Sequence, residues 1–211
     1  ILEVNEHMPK LHGGYDECIH ISDVDCVVEG SHDPFPEYPN IVPSKEDVAI
    51  AKHIIPLLVD GATLQLGIGG IPNAIGDIIA ESDLRDLGMH TELCTDAFLK
   101  IHRAGKLTNK KKNINPRKGV LGVAIGSSEL YNWVDDNPSI LAYPMEYVNN
   151  PAIIGQIDNM VSINSCVAMD IYGQVSSESF GTRQLSGTGG QLDFLTGAST
   201  SKGGKAFICT H

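Results

Sequence analysis

The run Gly88-Met89-His90-Thr91-Glu92-Leu93-Cys94-Thr95-Asp96 changes period near its end. Leu87, Met89, Thr91 and Leu93 alternate with Gly88, His90, Glu92 and Cys94, the two-residue period of a half-buried strand. From Thr95 the pattern becomes helical. Thr95 is a candidate cap, Asp96 suits a first turn, and Phe98, Leu99, Ile101 and Ala104 form an apolar face that stops at Gly105. Glu92 is thereby placed near the carboxyl end of a strand, the edge at which open α/β sheets bind ligands. A carboxylate there serves as a nucleophile, a ribose ligand or a solvated side chain, and the local pattern leaves all three open.

Working outward toward the amino end, Ser44 is the expected cap of a helix with Glu46 and Asp47 in its first turn. Val48, Ala51, Ile55 and Leu58 line one face, and Pro56 predicts a kink. The strand Ala62–Leu66 runs into Gly67-Ile68-Gly69-Gly70-Ile71-Pro72, with Pro72 expected to open a helix reaching about Glu81. A strand, glycine loop and helix in this order present free amides to an anion. Pro72 replaces the third glycine of a dinucleotide fingerprint, so that motif is absent.

Toward the carboxyl end, the basic stretch Lys106–Lys118, with Lys110-Lys111-Lys112, reads as a solvated loop. Val120–Ile125 is strand-like, and Ser127 caps a short helix in which Trp133 reads as packing. After the strand Ile140–Tyr143, the sequence Asn149-Asn150-Pro151 suggests a fixed turn that aims a side-chain amide. Met160–Ile171 reads as a long strand, which Tyr172-Gly173-Gln174 folds back into Val175–Ser177 as a hairpin. A second glycine loop, Ser186-Gly187-Thr188-Gly189-Gly190-Gln191-Leu192-Asp193-Phe194, leads into a short helix from Gln191. Ser199–Gly204 is loop-rich, and Lys205–Thr210 is a closing strand.

This alternation predicts an α/β fold, a mostly parallel sheet flanked by helices with a late antiparallel hairpin. Before it, Ile1–Val4 and Ile19–Val28 are two strand candidates, and Asp33–Pro43 holds four prolines and reads as an irregular connector. Residues 1–43 are expected to be a partial lead-in segment and linker, and residues 44–211 the principal lobe. Ile1 and His211 both border strand-like sequence, so the chain reads as a fragment truncated at both ends.

With 42% hydrophobic residues the chain can build a core. A net charge of −11 opposes nucleic-acid or anionic-membrane binding, which needs a basic face. No apolar run approaches the roughly 18 residues of a membrane span. Five widely spaced cysteines without a Cys-x-x-Cys pair suit reduced thiols and a cytoplasmic location. Eight histidines show no metal-ligand spacing, and no metal site is expected.

Three ordered motifs, Gly67-Ile68-Gly69-Gly70-Ile71-Pro72, His90-Thr91-Glu92 and Ser186 to Phe194, resemble those of family I coenzyme A transferases. The similarity is to the acetyl-CoA hydrolase/transferase branch, which includes butyryl-CoA:acetate and 4-hydroxybutyrate CoA-transferases. It continues through Val161–Ser165, Gly173-Gln174-Val175 and Ser201–Lys205. The resemblance implies the carboxyl-terminal lobe of a two-lobed CoA-transferase-like fold, with the amino-terminal lobe missing and a homo-oligomeric assembly. It implies that Glu92 is the nucleophile and that Asn150, or less favourably Asn149, orients it. Gly187, Thr188, Gly189 and Gly190 are implied to lie beside the nucleophile and coenzyme A, with Gly189 and Gly190 as oxyanion donors. Gly67, Gly69 and Gly70 are implied to form the neighbouring wall. His90 shares a strand face with Glu92 and reads as packing or support.

The chemistry suits that assignment. An ordinary glutamate, with a pKa of about 4.3, is ionised at neutral pH and attacks without a base. The implied reaction is ping-pong transfer between an acyl-CoA and a short-chain acid such as acetate, butyrate or 4-hydroxybutyrate, through a glutamyl-CoA thioester. Coenzyme A is a co-substrate, and no metal takes part. Two other readings use the same residues: an acyl-CoA hydrolase, which admits water to the thioester, and a non-catalytic CoA- or nucleotide-binding module.

Overall fold

The computed structural model describes residues 1–211. In the leading segment β1 (Leu2–Val4) pairs in parallel with β2 (Val27–Glu29). The longer strand expected over Ile19–Val28 does not form. A 3-10 turn at Ile21–Asp23 interrupts it, and Val27 and Val28 stay exposed without a layer to pack on. Residues 30–44 contain no regular element, as four prolines in this stretch require.

The main body begins with α1 (Lys45–Ile54), capped by Ser44 and Asp47 in a reciprocal capping box. Pro56 does not kink this helix. The helix ends before it, and Ile55–Leu57 continues as a 3-10 turn, because proline supplies no N–H for an α-helical bond. The chain then runs through β3 (Thr63–Leu66), α2 (Gly70–Glu81), β4 (Gly88–Cys94), α3 (Asp96–Arg103), β5 (Gly119–Ala124), α4 (Ser128–Val134) and β6 (Ile140–Ala142). Two one-turn helices, α5 (Met145–Val148) and α6 (Pro151–Ile154), lead to β7 (Met160–Ser165). The long strand expected to Ile171 stops at Ser165. Ala168–Met169 (β8) pairs instead with Val175–Ser176 (β9) as a separate antiparallel hairpin about the anticipated turn. A second hairpin, β10 (Ser179–Phe180) with β11 (Arg183–Gln184), has no counterpart in the sequence reading. The helix α7 (Gln191–Thr200) runs through part of the segment expected to be loop, and β12 (Lys205–Cys209) closes the fold.

Six strands form one parallel sheet in the order β12-β7-β3-β4-β5-β6. The chain lays β3 to β6 down on one side and then returns to place β7 against the other edge of β3. Strand order reverses there, which is where such sheets open a crevice beyond their carboxyl ends. The register widens it. β3 pairs with β4 only at Thr63↔Gly88 and Leu64↔Met89, but follows β7 as far as Leu66↔Ile163.

Both faces of the sheet are covered. A core of 25 buried residues, including Ile75, Ile79, Met89, Phe98 and Leu130, joins α1 to α4 to one face. Val120, Val148, Ile154, Ile157, Met160, Phe194 and Ala198 join the α5–α7 layer to the other. Consequently β4 is buried on both faces from Gly88 to Thr91, not half-buried as its alternation suggested.

Candidate active site

The crevice at the strand reversal has a volume of about 200 Å³ and is lined mainly by polar residues and glycines. Glu92, Gly67, Gln65, Asn164 and Ser177 contribute to it, as do all of Gly187, Thr188, Gly189 and Gly190. Residues as far apart in sequence as Gln65 and Gly190 therefore meet at one sheet edge, around a carboxylate.

Glu92 is half-buried, and its Oε2 accepts a hydrogen bond from Asn149 Nδ2 at 2.8 Å. Gly190, the residue before α7, rests directly on this pair. A Cβ at 190 would collide with Glu92 Oε2 and with the Asn149 amide. Gly189 has a φ of +55°, the left-handed region that favours glycine. The N–H groups of Gly187 to Gly190 donate to no group in the chain. Together with the amino end of the ten-residue α7, they line the same crevice as Glu92 with free backbone donors.

Of the two asparagines expected near Glu92, the structure brings Asn149 to it. Asn150 does not reach Glu92. Its side chain turns back to accept from the Ala152 N–H at 2.9 Å and caps α6, while Asn149 makes the contact. Asn149 Oδ1 is buried and has no partner.

The first glycine loop also divides in a way the sequence did not reveal. Gly67 lines the crevice, where an added Cβ would lie 3.3 Å from Asn164 Oδ1. Gly69 and Gly70 do not line it. Gly69, with φ of +117°, faces a neighbouring small cleft beneath residues 38–41, which Asn73 Nδ2 fastens through the Ile41 carbonyl at 2.7 Å. Gly70 allows the Asp47 carboxylate to reach the amino end of α2. The site expected for an external anion on that helix thus already holds a carboxylate, whose own caps are Ser44 N at 2.8 Å and His211 Nε2 at 3.0 Å.

A buried polar cluster beneath the crevice was missed. Gln65 Nε2 donates to Asn164 Oδ1 and Asn164 Nδ2 to Gln65 Oε1, each at 3.0 Å, while Ser162 Oγ donates to Gln65 Oε1 at 2.6 Å. The signal was available: Gln65, Ser162 and Asn164 are polar residues within otherwise apolar strands.

Lys112 also departs from the solvated-loop expectation. It is buried, and its Nζ donates to the Met89 carbonyl at 2.8 Å and the Lys118 carbonyl at 2.7 Å, tying the basic loop to β4 and to the approach to β5. Burial pulls its amine down to about 7. Lys110 and Lys111 remain exposed. Trp133 packs as expected, its ring centroid 4.9 Å from that of His102. No helix is long and apolar enough to cross a membrane.

Residues 126–211 match the acetyl-CoA hydrolase/transferase C-terminal domain, and residues 1–38 match the N-terminal domain of the same family. A probable butyrate:acetyl-CoA coenzyme A-transferase of Syntrophomonas wolfei is 52% identical over 99% of the chain. The butyryl-CoA:acetate CoA-transferase of Anaerostipes caccae is 49% identical over the same share. In each case the match occupies 47% of the relative, so the chain spans about half the length of the curated relatives it matches. The crystal structure of RipA from Yersinia pestis superposes on 99% of the chain and 46% of its own, with 41% identity and a TM-score of 0.89. The sheet, the glycine loops and these matches agree, and the chain belongs to the acetyl-CoA hydrolase/transferase family.

Proposed function

We propose that this chain supplies the nucleophile-bearing half of an enzyme that moves coenzyme A between an acyl-CoA and a short-chain carboxylic acid. The observation that carries the proposal is the placement of Glu92, held by Asn149 and pressed against Gly190 among free backbone amides. In this reading the Glu92 carboxylate attacks the thioester carbonyl, forming an acyl-glutamyl anhydride and expelling the CoA thiolate. The thiolate attacks the glutamyl carbonyl, releasing the first acid as its carboxylate and leaving a glutamyl-CoA thioester. A second carboxylate attacks that thioester to form a new anhydride and free thiolate. Attack of the thiolate on the acyl carbonyl then releases the new acyl-CoA and regenerates Glu92.

Each addition creates an oxyanion, and the donors assigned to it are the free amides of Gly190, which packs against the Glu92 carboxylate, and of its neighbour Gly189. One such donor is worth about 3–4 kcal/mol in other enzymes. Asn149 fixes the carboxylate in a single orientation, which lowers the entropic part of the barrier. The relatives named for butyrate, butyryl-CoA and acetate support acids of two to four carbons. Residues 1–43 are read as the tail of one lobe and residues 44–211 as the second, with the rest of the first lobe and a homo-oligomeric partner completing the enzyme. Five free cysteines fit a reducing, cytoplasmic setting.

The test is to incubate the full-length protein with butyryl-CoA, reduce with borohydride and map the modified peptide. Modification at Glu92, with exchange of labelled acetate into acetyl-CoA, supports transfer. Absence of any Glu92 adduct under turnover overturns the reading. An adduct accompanied by hydrolysis without exchange assigns a hydrolase.

A further inference from the structure

His90 lies two residues before Glu92 on β4, so the two side chains project to the same face of the sheet. Its ring is fully buried, between Tyr147 and Phe194. Nε2 lies 2.9 Å from the Val148 carbonyl, an acceptor, so the ring proton resides on Nε2. Nδ1 is then a bare lone pair, and it is buried without a partner. Burial, reinforced by the nearby Lys112 charge, depresses the His90 pKa to about 3 and keeps the ring neutral in this single tautomer.

Val148 closes α5 and immediately precedes Asn149. Two bonds therefore connect the same stretch of β4 to the same turn: His90 to the Val148 carbonyl, and Asn149 to Glu92 at 2.8 Å. Nothing else grips the Asn149 side chain, because its Oδ1 is unpartnered. The distance between that turn and β4 consequently decides whether the amide meets the carboxylate. We infer that His90 is a positioning residue, which holds the Val148–Asn149 turn against β4 and so places the Asn149 amide on Glu92. The inference rests on the reading of Glu92 as nucleophile.

The test compares His90→Gln, His90→Asn and His90→Phe in the full-length protein, following the rate of Glu92 adduct formation from butyryl-CoA. A glutamine amide nitrogen reaches the position of Nε2, whereas that of asparagine stops near Nδ1. His90→Gln is expected within about threefold of the wild type, and the other two about 10- to 100-fold slower, with KM within about twofold. In an Asn149→Ala background, His90→Asn should add no more than about twofold, because both changes break one linkage. A folded His90→Gln protein as slow as His90→Phe overturns the inference, as does an undiminished effect in the Asn149→Ala background. If the wild type itself forms no adduct, the nucleophile reading fails and takes the inference with it; a reactive wild type with unaffected variants overturns the inference alone.

Discussion

Asn149 Nδ2 stands 2.8 Å from Glu92 Oε2, whereas the adjacent Asn150 turns its carboxamide onto the N–H of Ala152. Neighbouring residues of one type therefore do different work. Asn149→Ala is expected to slow Glu92 adduct formation about 10- to 100-fold with little change in KM. Asn150→Ala should cost about 1 kcal/mol of stability through the lost cap and leave the rate within about threefold. Single-turnover trapping and thermal unfolding of both variants check the pair, and the opposite ranking would return the orienting role to Asn150.

Gly190 and Gly189 are glycines for different reasons. A Cβ at 190 meets the Glu92 carboxylate and the Asn149 amide, while 189 faces open space but has a positive φ. Gly190→Ala is expected to lower kcat at least about 100-fold, since an error near 1 Å at the reacting atoms has that effect. Gly189→Ala should mainly cost about 1 kcal/mol of stability, from forcing alanine into the left-handed region. Steady-state kinetics beside chemical denaturation separate the two.

Stability should carry the signature of a buried neutral histidine. In the unfolded chain His90 titrates near 6.5, and in the folded protein at about 3. Between those values the unfolded state holds one more proton, so this contribution is complete above pH 6.5 and is lost as pH falls toward 3. Its slope is up to about 1.4 kcal/mol per pH unit. Denaturation curves collected across that window should lose one proton's worth of slope in His90→Gln, and an unchanged slope would place the ring in a protonated or solvated state.

The lysine run divides in the same physical terms. Lys112→Met should destabilise by about 2 kcal/mol, because it takes the amine donor from the buried Met89 carbonyl and the half-buried Lys118 carbonyl. Lys110→Met removes only an exposed pairing with Asp86 at 3.7 Å and should stay within about 0.5 kcal/mol. Urea unfolding of the two variants at pH 7 measures the difference, and equal effects would contradict the burial of Lys112.

The sequence by itself determined the alternation of helices and strands from α1 to β6, the parallel α/β class and the position of Glu92 at a strand end. Those features arise from local causes, the hydrophobic period, the Ser44 and Ser127 caps, and the punctuation by glycine and proline. The glycine loop at 187–190 was legible too, and the tertiary structure brings it onto the same crevice as Glu92. Only the tertiary structure decided which asparagine touches Glu92, because a one-residue step along a turn reverses where a side chain points without altering its composition. It likewise removed Gly69 and Gly70 from the crevice, buried Lys112, and covered both faces of β4. Each of those outcomes depends on what packs from a distant part of the chain. Glu92, legible as a carboxylate at a strand end, became a candidate nucleophile with a defined orientation once Asn149 and Gly190, 57 and 98 positions along, closed around it.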